Sequence, residues 1–253
     1  MSRNFELLHE AGKAQEMLRQ RAEQHRIEEA PAPSVVVPGT PALPIEGAAR
    51  EEVTKLVHRL FLLTGAGPRQ LVFAGTEPGN GCSWICAHTA DVLASQVGGS
   101  VCVVDCDVYF PTLHKEFNVP NQFGLAEALA CSEPIRQFVQ QLSRPNLWLL
   151  SCGALNDESP QQLTLERMRK RLFELRAEFD YVLLDVAPLS SCNHGVLLGS
   201  WSDGVALVLK ANSSNRKAAQ KALKEFQIAN APVLGAVLNQ RTFPIPESIY
   251  NRL

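Results

Sequence analysis

Six short apolar runs recur along the chain: 71–74 (LVFA), 101–104 (VCVV), 147–150 (LWLL), 181–184 (YVLL), 204–209 (GVALVL) and 233–238 (VLGAVL). Each is apolar at consecutive positions rather than at alternate ones, the pattern of a strand buried on both faces. Such strands need helices above and below them, and the segments between supply these: the spacing of apolar residues predicts helices over 83–97, 124–130, 134–142, 161–178, 192–199 and 214–229. The expected fold is α/β, a mainly parallel sheet with helices on both faces. A further helix is predicted over 49–63, with Val53, Leu56, Val57, Leu60 and Leu63 on one face.

Ahead of this lies a different composition. Residues 3–29 read as a helix whose apolar stripe, Leu7, Ala11, Ala14 and Leu18, is thin enough to need a partner surface. Residues 30–48 (APAPSVVVPGTPALPIEGA) hold five prolines and two glycines and read as an extended linker. The expected organisation is an N-terminal helix (1–29), a linker (30–48) and one domain (49–253).

A formal net charge of −2 excludes a nucleic-acid-coating surface, which carries a basic excess. No apolar run approaches the ~20 residues of a bilayer-spanning helix, and residues 1–15 lack the apolar core of a signal peptide, so a cytoplasmic chain without direct membrane insertion is expected. Seven cysteines, an odd number with no Cys-x-x-Cys spacing, are read as reduced and largely buried thiols rather than disulfides or a metal cluster.

The chemistry concentrates in three places. Directly after the first apolar run, residues 75–84 read GTEPGNGCSW, ahead of a predicted helix. Glycines let backbone N–H groups converge on phosphate oxygens, and a helix N-terminus adds a favourable dipole. Gly75, Gly79 and Gly81 keep that possibility, and Ser83 supplies a hydroxyl for magnesium, but Cys82 stands where such loops carry lysine. Trp84 puts bulk where a small hydroxyl residue is usual. An ordinary Gly/Pro turn before a helix has a similar outline. The second and third places are the strand ends VCVVDCDVYFP (101–111), with Asp105 and Asp107, and FDYVLLDVAP (179–188), with Asp185. Carboxylates at the C-terminal ends of parallel strands beside a phosphate loop are placed to hold magnesium and its water. Taken singly, each could equally cap a helix.

In this order the motifs resemble those of the bacterial tyrosine kinases of capsule and exopolysaccharide biosynthesis, within the wider group of P-loop ATPases that includes septum-site and partitioning proteins. The resemblance covers residues 49–253: GTEPGNGCSW stands for SAEPGEGKST, DCDVYFP for DADLRRP with His114 following, and DYVLLDVAP for DYVIIDTPP. It implies ATP or ADP with Mg2+ as cofactors. Gly79, Asn80, Gly81, Cys82, Ser83 and Trp84 are the implied nucleotide-binding residues, with Asn239 against the base. Asp105 and Asp107 are the implied catalytic residues, and Ser83, Asp105 and Asp185 the metal ligands. Glu52, Lys55 and His58 occupy the positions of a Glu-x-x-Arg-x-x-Arg motif that joins subunits into a ring, so a homo-oligomer is also implied. The implied partner is a membrane-anchored polysaccharide co-polymerase or chain-length protein, which would bring the chain to the inner face of the membrane.

The departures fall on the cations and on the acceptors. The loop lysine is Cys82, two arginines after the second motif are Tyr109 and Phe110, and both ring arginines are replaced. The family's C-terminal tyrosine cluster is reduced to Tyr250, one of three tyrosines in the chain. Losing one cation from the β/γ-phosphates forfeits a charge-assisted hydrogen bond of roughly 1.5–3 kcal/mol, one to two powers of ten in affinity. The expectation is a degenerate kinase that senses nucleotide or acts as a scaffold. The alternatives are an active kinase or ATPase gripping phosphate with Lys210, Lys115 or a partner's lysine, a partitioning-type ATPase switch, and a metal or cluster carrier.

Overall fold

The computed structural model describes residues 43, 45, 47–63, 65, 67–154 and 165–241. The predicted helix over 3–29, most of the linker and Tyr250 lie outside the described residues.

The helix α1 (Gly47–Val57) runs into a π-helical turn (His58–Leu62), and the sheet then begins with β1 (Gln70–Gly75). After β1 come α2 (Cys82–Gln96), β2 (Val101–Asp105), the short helices α3 (Leu113–Glu116) and α4 (Leu125–Ala130), a 3-10 turn (Ile135–Phe138) and β3 (Gln140–Gln141). The chain continues through β4 (Leu147–Leu150), α5 (Leu165–Glu178), β5 (Tyr181–Asp185), α6 (His194–Ser200), β6 (Gly204–Lys210), α7 (Arg216–Ile228) and β7 (Val233–Asn239). The sheet order is β3-β4-β2-β5-β1-β6-β7, parallel throughout except for the antiparallel β3–β4 pair.

The apolar strands divide their side chains between two core layers. One face packs Leu71, Phe73, Val101, Val103 and Leu183 against α1 and α2. The other packs Val72, Cys102, Val104, Val182 and Leu184 against α4, α5 and α7. Burial on both faces is why these strands read as continuous apolar runs. Helix α2 is the most enclosed of the helices, buried without a break from Ile85 to Ala94. Its one buried carboxylate, Asp91, is paired with Arg144 (Nε–Oδ1 2.6 Å).

The six expected strands are present. The expected helix over 134–142 is not: after one 3-10 turn the chain extends, and Gln140 and Gln141 pair antiparallel with Leu149 and Trp148. Ile135, Phe138 and Val139 are all buried, and strand pairing at the sheet edge replaces the helical turn their spacing suggested. The expected helix over 49–63 stays α-helical only to Val57; Leu63 N–H then bonds His58 O at 2.9 Å, five residues back. Leu43 and Ile45, each 6% exposed, already belong to the core, so the folded domain begins before residue 49. Among the described residues, no helix is long and apolar enough to cross a membrane.

Candidate functional site

The sheet order puts β1, β5 and β2 side by side, so the loop after β1 lies next to the ends of β5 and β2. In register, Phe73 pairs with Asp185 and Asp105 pairs with Asp185, which brings two of the acidic strand ends level with the exit of β1. This is the edge of an open parallel sheet at which ligands bind.

The loop is shaped by two glycines in the left-handed region, Gly79 (φ +80°) and Gly81 (φ +78°). Gly81 precedes α2, whose first turn has no side-chain cap, and a Cβ on Gly81 would lie 2.2 Å from Asn239 Nδ2. Asn80 points inward, 3% exposed, and its Nδ2 donates to Thr76 Oγ1 (3.1 Å), Val208 O (3.0 Å) and Ser214 Oγ (3.3 Å). Asn239 Nδ2 donates to Asn80 O at 3.0 Å. Two asparagines expected to face a nucleotide thus tie the loop to the end of β6 and to β7. Trp84 packs on the core, with its ring 4.1 Å from that of His88 one turn along α2.

The three aspartates have different surroundings. Asp105 is buried, with Oδ1 accepting from Asp107 N–H (3.2 Å) and Oδ2 from Thr112 and Leu113 N–H (both 3.0 Å), which caps α3. Burial pushes its carboxyl up to about 7 despite those donors. Asp107 Oδ1 accepts from Tyr109 and Phe110 N–H at 3.0 Å and so shapes the loop after β2. Asp185 is 1% exposed, and neither of its oxygens makes a full hydrogen bond. Burial and the neighbouring Asp105 hold its carboxyl well above the usual range, and the Ser83 hydroxyl and Cys82 thiol beside it give partial support to the charged form. The thiol of half-buried Cys82 is raised in turn by burial and by Asp185.

A phosphate group and a magnesium ion fit this arrangement in part. The glycine loop opens onto free space at Gly79, where an added Cβ would meet nothing within 4 Å, and the first turn of α2 has no side-chain cap. Asp185 is an unpartnered buried carboxylate beside Ser83, the pair that would hold magnesium. Asp105, expected as a third ligand, already accepts three backbone N–H groups. Among the described residues, no three His, Cys, Asp or Glu side chains are arranged to hold a metal. The loop offers no cation of its own to phosphate, because Cys82 stands at that position. All seven cysteines are free thiols.

The sequence missed Thr76 and Ser214 as anchors of the loop. Only the hydroxyl of Thr76, inside the glycine loop, was a signal; Ser214 lies 134 residues from Asn80.

The mostly parallel sheet with a glycine loop after its first strand is that of the P-loop ATPases. The structure of the septum site-determining protein MinD complexed with Mg-ADP from Pyrococcus horikoshii OT3 superposes with a TM-score of 0.59 at 18% identity, covering 72% of this chain and 76% of that one. The kinase domain of the Escherichia coli tyrosine kinase Etk superposes with a TM-score of 0.70 at 20% identity, covering 87% of each chain. In sequence, the chain is 30% identical over 171 residues to tyrosine-protein kinase YwqD of Bacillus subtilis, 68% of this chain and 72% of YwqD. It belongs to the family of bacterial tyrosine-protein kinases. Some relatives are much longer: of tyrosine-protein kinase ptk of Acinetobacter johnsonii, 27% identical over 180 residues, the match spans 24%, and 71% of this chain. No family model matches the sequence.

Proposed function

We propose that this chain is a degenerate member of its family, a nucleotide-sensing scaffold of capsule or exopolysaccharide assembly rather than a processive kinase. The observation that carries the reading is Cys82: at the lysine position of the loop stands a neutral thiol set beside buried Asp185. The cradle of Gly79 and Gly81 and the Ser83–Asp185 pair support retention of weak nucleotide and magnesium binding. With no cation at position 82, the charge developing on a transferred phosphoryl group lacks its main protein counter-charge. The process is suggested by relatives whose names place them there, CapB of Staphylococcus aureus and a kinase of the cps region of Klebsiella pneumoniae.

The proposed partner is a membrane-anchored polysaccharide co-polymerase or chain-length protein, with the chain held at the inner face of the membrane through it. Self-association through the helix bearing Glu52, Lys55 and His58 belongs to the same reading.

Calorimetric titration of the full chain with Mg-ADP is expected to give a Kd of tens of micromolar or weaker, consistent with the loss of one charge-assisted bond to phosphate. Sub-micromolar affinity would mean that another cation grips the phosphates, and would favour the reading of an active kinase or ATPase.

A further inference from the structure

The helices α5, α6 and α7 lie in a row on one layer of the sheet, α5 over β5, α6 over β1 and α7 over β7. Helix α7 buries Ala222 and Phe226 toward the strands. Its opposite side carries Lys217, Lys221, Lys224 and Ile228, all exposed, at the i, i+4, i+7, i+11 spacing of one helical stripe. Four basic residues stand on this helix against one carboxylate, Glu225, which lies 3.6 Å from Lys221. Among the described residues, Lys217 and Lys224 have no ion pair. Local helix energetics disfavour such a stripe. Like charges three and four residues apart repel, and Arg216 and Lys217 occupy the first turn, where the helix dipole disfavours cations. The helix's own stability therefore does not account for the lysines. On α5, the Arg169 guanidinium lies over the ring of Phe173 (5.8 Å), which is 59% exposed, and Ile228 on α7 is 83% exposed. Cations and large apolar side chains thus share the outer side of this layer, in a chain whose formal net charge is −2.

We infer that the outer side of α5 and α7 is a docking surface for an anionic lipid bilayer, bound peripherally. Charge complementarity decides the sign of the partner. The kind of cation and its neighbours decide the class. The stripe on α7 is all lysine, compact ammonium groups on flexible stems that suit a diffuse surface potential, where rigid arginine forks suit single carboxylates or phosphates. Interspersed apolar side chains are what an interfacial helix buries among lipid headgroups, and Phe173 and Ile228 project from this layer for that purpose. A tract of acidic residues or duplex DNA would answer the charge and leave both side chains in water. The cations are also laid out along a helix rather than gathered around a groove, which matches a flat partner. The glycine loop lies at the carboxyl ends of the strands, not on this face, so docking does not depend on nucleotide. The contact is the chain's own. It goes beyond the partner-held location proposed above, and either can hold without the other.

The test is flotation of the purified full chain, without nucleotide or any partner protein, on two kinds of vesicle: phosphatidylcholine alone, and phosphatidylcholine with roughly one-third phosphatidylglycerol. Binding is expected to the anionic vesicles only, and to be lost at about 0.5 M salt, where the surface potential is screened. Each cation near such a surface is worth about a fivefold change in partition, so Lys224→Gln should weaken binding about fivefold. Lys217→Gln, Lys221→Gln and Lys224→Gln together should weaken it by about a hundredfold. The triple variant should melt at least as high as the parent, because it relieves the like-charge stripe and the cation in the first turn. Arg50→Gln with Arg59→Gln, on α1 in the opposite layer, removes charge from the far side and should bind within about twofold of the parent. Phe173→Ser should weaken binding without altering its salt dependence. No flotation with anionic vesicles, flotation unchanged in the triple variant, an equal loss in the α1 variant, or capture by polyglutamate or duplex DNA in preference to vesicles would each overturn the assignment.

Discussion

Replacing Cys82 with lysine is expected to tighten Mg-ATP binding by about ten- to a hundredfold, the worth of one charge-assisted hydrogen bond to phosphate. Position 82 is the first residue of α2, directly after left-handed Gly81, so a side chain there leaves the loop where the phosphates would sit. The thiol presently lies beside Asp185, whose oxygens have no full hydrogen bond. An ammonium at this position meets an unpaired buried carboxylate without ligand and phosphate oxygens with it, so Cys82→Lys should also melt higher than the parent. Cys82→Ser is the control. It keeps the size and removes the sulfur without adding charge, and its affinity should match that of the parent within a factor of about two, below the worth of one neutral hydrogen bond. Calorimetry on the three proteins separates charge from thiol chemistry. A Cys82→Lys protein that folds normally and binds no more tightly would show that the loop's geometry, not its missing cation, limits binding.

The part of the stability that Asp105 and Asp185 contribute in the nucleotide-free, magnesium-free protein should fall as pH rises from about 4 to 8, whereas Asp180 and Asp203, whose carboxyls are held low, and His88, kept neutral by burial, act in the opposite direction. Asp105 is raised by burial from 3.8 to about 7, so its folded form holds its proton longer than the unfolded one. The stability it contributes is fully present below about pH 4 and is lost as pH climbs through 7, about 4 kcal/mol in all. Asp185, raised chiefly by burial and by Asp105, acts in the same direction. Asp185→Asn removes the charge at a carboxylate whose oxygens make no full hydrogen bond, so it should raise the melting temperature at pH 8 by roughly 5 °C, and by less at lower pH. Asp105→Asn should not rescue in this way, because Asp105 accepts three backbone N–H groups and an amide has only one oxygen to offer them. An Asp185→Asn protein less stable than the parent at pH 8, or one whose advantage over the parent does not grow with pH, would contradict this description of the site.

The sheet was legible because parallel strands buried on both faces leave continuous apolar runs, and the glycine loop was legible because Gly79 and Gly81 sit where only left-handed backbone works. The roles of the site's side chains were much less so. Asn80 and Asn239 look like ligand contacts in sequence, yet they clamp the loop through partners 128 and 159 residues away from Asn80, contacts that no local pattern encodes. Asp105 looks like a metal ligand at a strand end, yet its oxygens cap the turn leading into α3, a four-residue helix too short to announce itself by periodicity. The segment IRQFVQQL misled because its buried residues, Ile135, Phe138 and Val139, suit a helix as well as a 3-10 turn running into an edge strand. Pairing with β4 decided the outcome, and that is a long-range event.

In a degenerate member of the family, as proposed, phosphoryl transfer to tyrosine is lost while the cradle persists. The measurement that reaches it most directly is mass spectrometry of the full chain after incubation with Mg-ATP. Three tyrosines are available as self-acceptors: exposed Tyr109 on the loop after β2, half-buried Tyr181 in β5, and Tyr250. The predicted result is an essentially unmodified chain, because no cation stands at position 82 to meet the phosphates. Stoichiometric phosphotyrosine at Tyr109, Tyr181 or Tyr250 would contradict it and make this chain a working kinase with an altered grip on phosphate.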